Sequence, residues 1–237
     1  ARGIEIIQSE NTKRIPVLCG IIRNSTRAAI SAGLAAKDAG ADILMVTPTF
    51  YHGTDARGNY DYYKEISEKV DLPIVIYNVI KNNVITPEMM TKISEIDNVA
   101  GIKQSTGGIH ALADMLCYCG DKTKVFGAQD DLMYLSYTLG AAGAISAILT
   151  VFPELCVKQW DCVQQGDMAQ AKEIHNRLLP VWRKIDCGMA FPGMIKAALT
   201  LLGRDVGKAR SPILEPDAAT VADLKKTLQE NHFIEAE

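Results

Sequence analysis

Lys103 closes the apolar run Val99-Ala100-Gly101-Ile102 and is followed at once by the loop Gln104-Ser105-Thr106-Gly107-Gly108. Twenty-six positions earlier, Tyr77 and Asn78 close a second apolar run, Leu72-Pro73-Ile74-Val75-Ile76. An amine and a phenol at the ends of apolar segments are the groups that Schiff-base chemistry requires. The amine adds to a carbonyl, the resulting iminium acidifies the adjacent carbon, and the phenol moves protons. The amine attacks only as the neutral base, a form that dry apolar surroundings favour over the ammonium.

The elements that hold these two groups can be read from the same residues. Both runs are short, rich in β-branched side chains and bounded by turn residues, so they read as buried strands. Thr86 to Glu95 between them has a helical pattern, the length that a crossover between parallel strands needs. Tyr77 and Lys103 then stand at the carboxyl ends of neighbouring strands, about 5 Å apart. That is the end at which α/β barrels keep their chemistry.

The alternation extends in both directions. Strands are expected at Ile15–Gly20, Ala41–Val46, Lys124–Ala128 and Gly143–Ala147, with helices from Asn24 to Ala39, Ala56 to Val70, Ile109 to Cys119 and Asp130 to Leu139. A strand–helix period near 25 residues points to a β/α barrel or a doubly wound sheet. No G-x-G-x-x-G or Walker-type loop follows the first strand, which weighs against a nucleotide-binding open sheet. Six strands are expected where a (β/α)8 TIM barrel has eight. Ala1 to Ile7 reads as the tail of an amphipathic helix, so about two βα units are expected to precede it. The barrel is expected over residues 1–165, followed by a C-terminal helical extension over 166–237.

Composition narrows the field of functions. The 237 residues are 48% hydrophobic and 22% charged, which suits a globular domain with a sizeable core. A net charge of −3 supplies no basic surface for nucleic acid, and no apolar stretch is long enough for a membrane span. The six cysteines lack paired C-x-x-C spacing and read as reduced thiols, the pattern of a cytoplasmic protein. The four histidines form no ligand pair, so no metal site is expected. Asp130 and Asp131 read as helix caps.

Taken together, Gly20…Asn24-Ser25-Thr26, Ala39-Gly40-Ala41-Asp42, Thr47-Pro48, Tyr77-Asn78-Val79, Gly101-Ile102-Lys103-Gln104-Ser105-Thr106-Gly107 and Gly140…Gly143-Ala144-Ile145-Ser146 resemble the dihydrodipicolinate synthase/N-acetylneuraminate lyase family. The likeness runs from about Ile15 to Pro216. The Tyr-Asn-Val and Gly-Ile-Lys elements, in that order and spacing, are its specific part.

The resemblance implies a TIM barrel with trailing helices, assembled as a dimer or tetramer, that condenses or cleaves around pyruvate held on a lysine imine, with no separate cofactor. Lys103 is then the imine-forming lysine and Tyr77 the proton-shuttling phenol. Thr47 and Gly143 line the pyruvate pocket, Ile145 turns its main-chain carbonyl to it, and Tyr51 lies in a loop long enough to reach a neighbouring subunit. The family's hydroxyl-bearing motif that holds the pyruvate carboxylate belongs to a strand upstream of Ala1.

Two departures bear on the second substrate. After Tyr-Asn-Val, dihydrodipicolinate synthases carry an arginine that grips the aldehyde substrate; the stretch here is Ile80-Lys81-Asn82-Asn83-Val84, with Asn82 in the arginine's place. The loop Thr47-Pro48-Thr49-Phe50-Tyr51 is one residue longer than the common form. The leading expectation is a class I lyase or aldolase acting on pyruvate and an aldehyde. N-acetylneuraminate lyase and aldolases or dehydratases of 2-keto-3-deoxy sugar acids are the alternatives within the family. A non-catalytic barrel that binds a keto acid is the alternative of another class.

Overall fold

The apolar runs become strands because their residues must serve two faces at once. The computed structural model describes every residue except Lys13, Cys187, Met189, Ala190, Ala236 and Glu237. It divides into two compact units, one of Ala1–Ala128 with Leu139–Ala144, the other of Gln129–Thr138 with Ile145–Glu237.

The first unit follows the order α1 (Arg2–Asn11), β1 (Leu18–Ile21), α2 (Thr26–Asp38), β2 (Ile43–Val46), α3 (Ala56–Val70), β3 (Ile74–Asn78), α4 (Pro87–Ile93), β4 (Val99–Gln104), α5 (Gly108–Cys119) and β5 (Lys124–Gly127). The five strands are parallel and pair in sequence order. An α/β architecture with one helix per crossover results. Helix starts are set by side chains that accept otherwise orphaned N–H groups: Ser25 for α2, Asp55 for α3 and Thr86 for α4.

Leu44, Val46, Ile74, Ile76, Ile102 and Val125 turn to the helices and join Tyr63, Ile66, Met90 and Met115 in one buried cluster. Strand alternation sends Met45, Val75, Gly101, Tyr77 and Lys103 to the opposite face. Between β3 and β4 the register shifts: Ile74 pairs with Val99 but Val75 with Gly101, leaving Ala100 as an extra residue. This irregularity brings Tyr77 level with Lys103 and Asn78 level with Gln104.

The second unit is helical: a 3-10 turn (Asp130–Leu132), α6 (Met133–Thr138), α7 (Ile148–Val151), α8 (Pro153–Gln164), α9 (Met168–Ile185), α10 (Phe191–Leu201) and α11 (Ala218–Glu230). Its core includes Val181, Trp182, Met194 and Leu228. No helix among the described residues is long and apolar enough to cross a membrane. Cys19, Cys117, Cys119, Cys156 and Cys162 are free thiols, and Cys187 lies outside the described residues.

Most expected elements stand within about two residues of their expected ends, with three corrections. The first strand starts at Leu18, not Ile15, because Pro16 has no N–H to pair and the Val17 N–H is taken by the Asp42 carboxylate at 2.8 Å. Gly143–Ala147 is not a strand, so the described residues hold five strands and not six; only Ala144 bridges Gly127. Gly143 has φ +151°, a value that takes the chain off the extended path.

Asp130 does not cap its own turn, where Gln129 is the N-cap residue. Its carboxylate accepts the Ile148 N–H at 2.6 Å, and burial pushes its pKa up against that bond. Asp131 pairs with Arg183 at 2.9 Å.

Gly101 is required by space. A Cβ there would lie 2.5 Å from the Lys124 carbonyl oxygen and 3.1 Å from the Phe126 ring. Gly101→Ala is expected to cost about 1–3 kcal/mol, read as a lower urea midpoint at unchanged slope. An unchanged midpoint would mean that β4 and β5 do not approach as closely as described.

Candidate active site

One row of residues crosses the sheet at the carboxyl ends of the strands. Val46 pairs with Ile76, so Thr47 stands level with Tyr77; Tyr77 pairs with Lys103, and Lys103 with Phe126. Beyond Phe126, the Gly127 N–H donates to the Gly143 carbonyl at 2.9 Å, which places Gly143 against the Phe126 ring. Thr47, Tyr77, Lys103 and Gly143 therefore lie along one level of the first unit.

Lys103 is 8% exposed, and its Nζ sits 3.9 Å from the centroid of the Tyr77 ring. Among the described residues no carboxylate or hydrogen-bond acceptor pairs with it. A buried amine usually carries a counter-ion. Among the described residues this one meets an aromatic face instead. The contact leaves the lysine available for covalent chemistry with a carbonyl. Thr47 is 1% exposed and its Oγ1 has no hydrogen-bond partner among the described residues. A buried hydroxyl without a partner is costly, and here it stands beside the tyrosine.

The end of β2 is held from beneath. Tyr62 donates its hydroxyl to the Thr47 carbonyl at 3.3 Å, and Tyr63 makes a longer contact to the Val46 carbonyl at 3.5 Å. Burial raises both phenol pKa values, so both remain neutral donors at ordinary pH.

A second pair of residues, one position beyond the first, locks the strand ends. Asn78 is fully buried; its Nδ2 donates to Gln104 Oε1 at 2.9 Å and to the Ile85 carbonyl at 2.8 Å, while its Oδ1 accepts the Ile85 N–H at 2.9 Å. Gln104 Nε2 donates to the Thr106 carbonyl at 2.8 Å, and the Asn78 carbonyl accepts the N–H groups of Ser105 and Thr106. The loops after β3 and β4 are thereby tied to one buried amide pair. Sequence reasoning passed over this pair as a site feature, although its spacing is the same twenty-six positions that links Tyr77 to Lys103.

Asparagines also organise the neighbouring loop. Asn24 Oδ1 accepts the N–H groups of Phe50 and Tyr51, both at 2.9 Å. Asn82 Nδ2 donates to the Phe50 carbonyl at 3.1 Å, and Asn83 Nδ2 to the Thr49 carbonyl at 3.1 Å. Asn59, buried in α3, donates to Asn83 Oδ1 at 2.8 Å. The structure thus brings Asn82 and Tyr51 to one loop pair, with the Tyr51 side chain 74% exposed and edge-on to His52. Ile145 belongs to the second unit, where it is half-buried outside regular structure.

Asn78→Ala would leave the Ile85 N–H and carbonyl and Gln104 Oε1 without their partner. It is expected to cost about 3 kcal/mol, whereas Asn82→Ala at the exposed loop should stay within about 0.5 kcal/mol. Equal urea midpoints for the two variants would show that the buried amide pair does not hold the strand ends.

The dihydrodipicolinate synthetase family model matches residues 2–231. The 4-hydroxy-tetrahydrodipicolinate synthase of Archaeoglobus fulgidus is 31% identical over 225 residues, covering 94% of this chain and 78% of that protein. The enzyme of the same name from Hyphomonas neptunium is 34% identical over 213 residues, covering 88% of this chain and 72% of the relative. Among solved structures, the chloride-inhibited dihydrodipicolinate synthase of Acinetobacter baumannii complexed with pyruvate superposes with a TM-score of 0.91 at 28% identity, covering 98% of this chain and 80% of that one. With a family model spanning nearly its whole length, and with Tyr77 and Lys103 side by side at the strand ends, the chain belongs to the dihydrodipicolinate synthetase family.

Proposed function

We propose that this chain is a class I lyase that condenses or cleaves pyruvate with an aldehyde through an imine on Lys103. The observation that carries the reading is a buried lysine amine with no counter-ion among the described residues, stacked on a tyrosine of the next strand. Support comes from the pyruvate bound to the Acinetobacter baumannii relative and from the synthase names of the curated relatives.

In this reading Lys103 adds to the keto carbon of pyruvate. Loss of water gives an iminium that acidifies the methyl carbon; loss of one methyl proton gives the enamine, whose carbon attacks the aldehyde carbon while the aldehyde oxygen takes up a proton. Tyr77 carries protons to and from the carbinolamine and the product oxygen. The Thr47 hydroxyl, unpartnered among the described residues, hydrogen-bonds the bound keto acid, and Gly143 lies along the same level. No metal or separate cofactor is needed, since the lysine supplies the electron sink.

Asn82 bears on the second substrate. A neutral amide engaged with the Phe50 carbonyl grips an anionic group less firmly than a guanidinium fork does. The aldehyde partner is therefore one recognised through hydroxyl or carbonyl groups, with Tyr51 from the same loop region contributing to its binding. A β/α barrel assignment for residues 1–165 with a helical extension over 166–237, a homo-oligomeric assembly and a cytoplasmic location belong to the same proposal.

The test is reduction with borohydride in the presence of pyruvate, followed by peptide mass spectrometry. A reduced pyruvyl adduct is expected on Lys103 and is expected to be lost in Lys103→Ala. Tyr77→Phe should keep the lysine but slow adduct formation by about 10²–10⁴-fold. Absence of any adduct, or an adduct on another lysine, overturns the reading. Reversible pyruvate binding without borohydride trapping would make the protein a binder instead.

A further inference from the structure

The surface of the second unit carries an open cavity of about 420 Å³ that none of the chemistry above uses. It opens at the start of α8, where Val151, Phe152 and Leu155 meet Leu202 and Phe233 to form an apolar floor. The two phenylalanine rings are 4.4 Å apart between centroids. Around this floor stand three cations, Lys158, Arg177 and Arg204, against one carboxylate, Glu154.

Among the described residues these cations are not neutralised locally. Arg177 lies over the Phe233 ring, 4.9 Å from its centroid, and one of its nitrogens reaches the Asn231 and His232 carbonyls at 3.5 and 3.4 Å. Arg204 donates one nitrogen to the Val151 carbonyl. Neither guanidinium meets a carboxylate among the described residues, and each keeps further N–H groups without a partner. Lys158 has no ion pair there either, although Glu154 precedes it by one helical turn on α8. Surface arginines tend to be paired or solvated at random, but here two converge on a concave apolar floor, with Phe233 orienting one of them.

We infer that this cavity is a binding site for a small amphipathic carboxylate, an aryl or branched-alkyl body with one negative charge. The apolar floor takes the body, as in most small-molecule sites, and the volume lies toward the small end of such pockets. The free edges of the guanidinium groups take the carboxylate, for which their planar fork is matched. Glu154 on the rim lowers the positive excess, which favours a monoanion over a doubly charged phosphate. The site is independent of Lys103, all of its lining residues belonging to the second unit.

The experiment is isothermal titration calorimetry of the whole chain with 3-phenylpropanoate, its neutral amide and inorganic phosphate. The acid is expected to bind saturably, with the amide at least about tenfold weaker and phosphate unable to displace the acid at equal concentration. Joint Arg177→Met and Arg204→Met substitution should weaken the acid at least about tenfold and leave the amide unchanged. Because Arg177 also holds the chain near Asn231, Lys158→Glu serves as a second variant free of structural contacts. It should weaken the acid at least about fivefold.

Acid binding should persist after Lys103 has been blocked by borohydride and pyruvate, or in Lys103→Ala if no adduct forms. The proposal is overturned if acid and amide bind alike, if phosphate displaces the acid, or if the acid shows no binding at about 10 mM. It is also overturned if blocking or removing the Lys103 amine abolishes acid binding, or if affinity is unchanged in Lys158→Glu or in a folded double arginine variant.

Discussion

A single extra residue at Ala100 decides what stands beside Lys103. In an unbroken register, the pairing of Ile74 with Val99 would carry on to set Tyr77 against Ile102, which faces the helices and the apolar core. Side chains alternate between faces with a period of two, so a slip of one residue exchanges the buried set for the opposite set. The irregularity at Ala100 absorbs that residue before the strand reaches its carboxyl end. Tyr77 and Lys103 then share a face, and Asn78 and Gln104 share the other. The amine–aromatic contact and the buried amide pair are two consequences of one register.

The division of labour between the faces has a physical logic. Toward the helices, Ile74, Ile76 and Ile102 bury apolar surface and fix the strands in place. At the last position of that same face, polar Asn78 and Gln104 replace the aliphatic side chains. They can be buried there because each amide finds partners in loop backbone or in the other amide. On the opposite face Lys103 and Thr47 are buried without conventional partners among the described residues. Satisfied polar groups thus hold the frame on one face, while Lys103 and Thr47 keep unmet hydrogen-bonding capacity on the other.

The loops show a similar exchange of roles. Asn82 spends its amide nitrogen on the Phe50 carbonyl. Asn24 and Asn83 grip the same loop from the two sides. The loop gains a defined backbone, and Tyr51 is presented outward on it. In the second unit arginines act alongside their role at the cavity: Arg177 ties α9 to the chain after α11, and Arg204 ties the end of α10 to α7. These long side chains reach backbone carbonyls that their own elements cannot satisfy.

By itself the sequence determined the elements whose information is local. The helix at Ala56–Val70 matches its expected ends, its start set locally by Asp55, which accepts the Gly58 N–H. The strands ending in Tyr77 and Lys103 were legible because β-branched runs bounded by turns need no distant partner to be recognised. Their adjacency followed from the single crossover helix between them, and the family was legible in the motifs at those strand ends.

Only the tertiary structure decided the rest, because it depends on which groups meet across long sequence separations. Gly143–Ala147 has a strand-like composition, yet Gly143 turns away after one bond to Gly127. Asp130 looks like a local cap but accepts the N–H of Ile148, eighteen positions onward. The Asn78–Gln104 pair, the lone Thr47 hydroxyl and the convergence of Arg177 and Arg204 leave no periodic trace in the chain. Hydrophobic pattern records which side of an element is buried; the identity of a polar group's partner is fixed only when packing brings the two together.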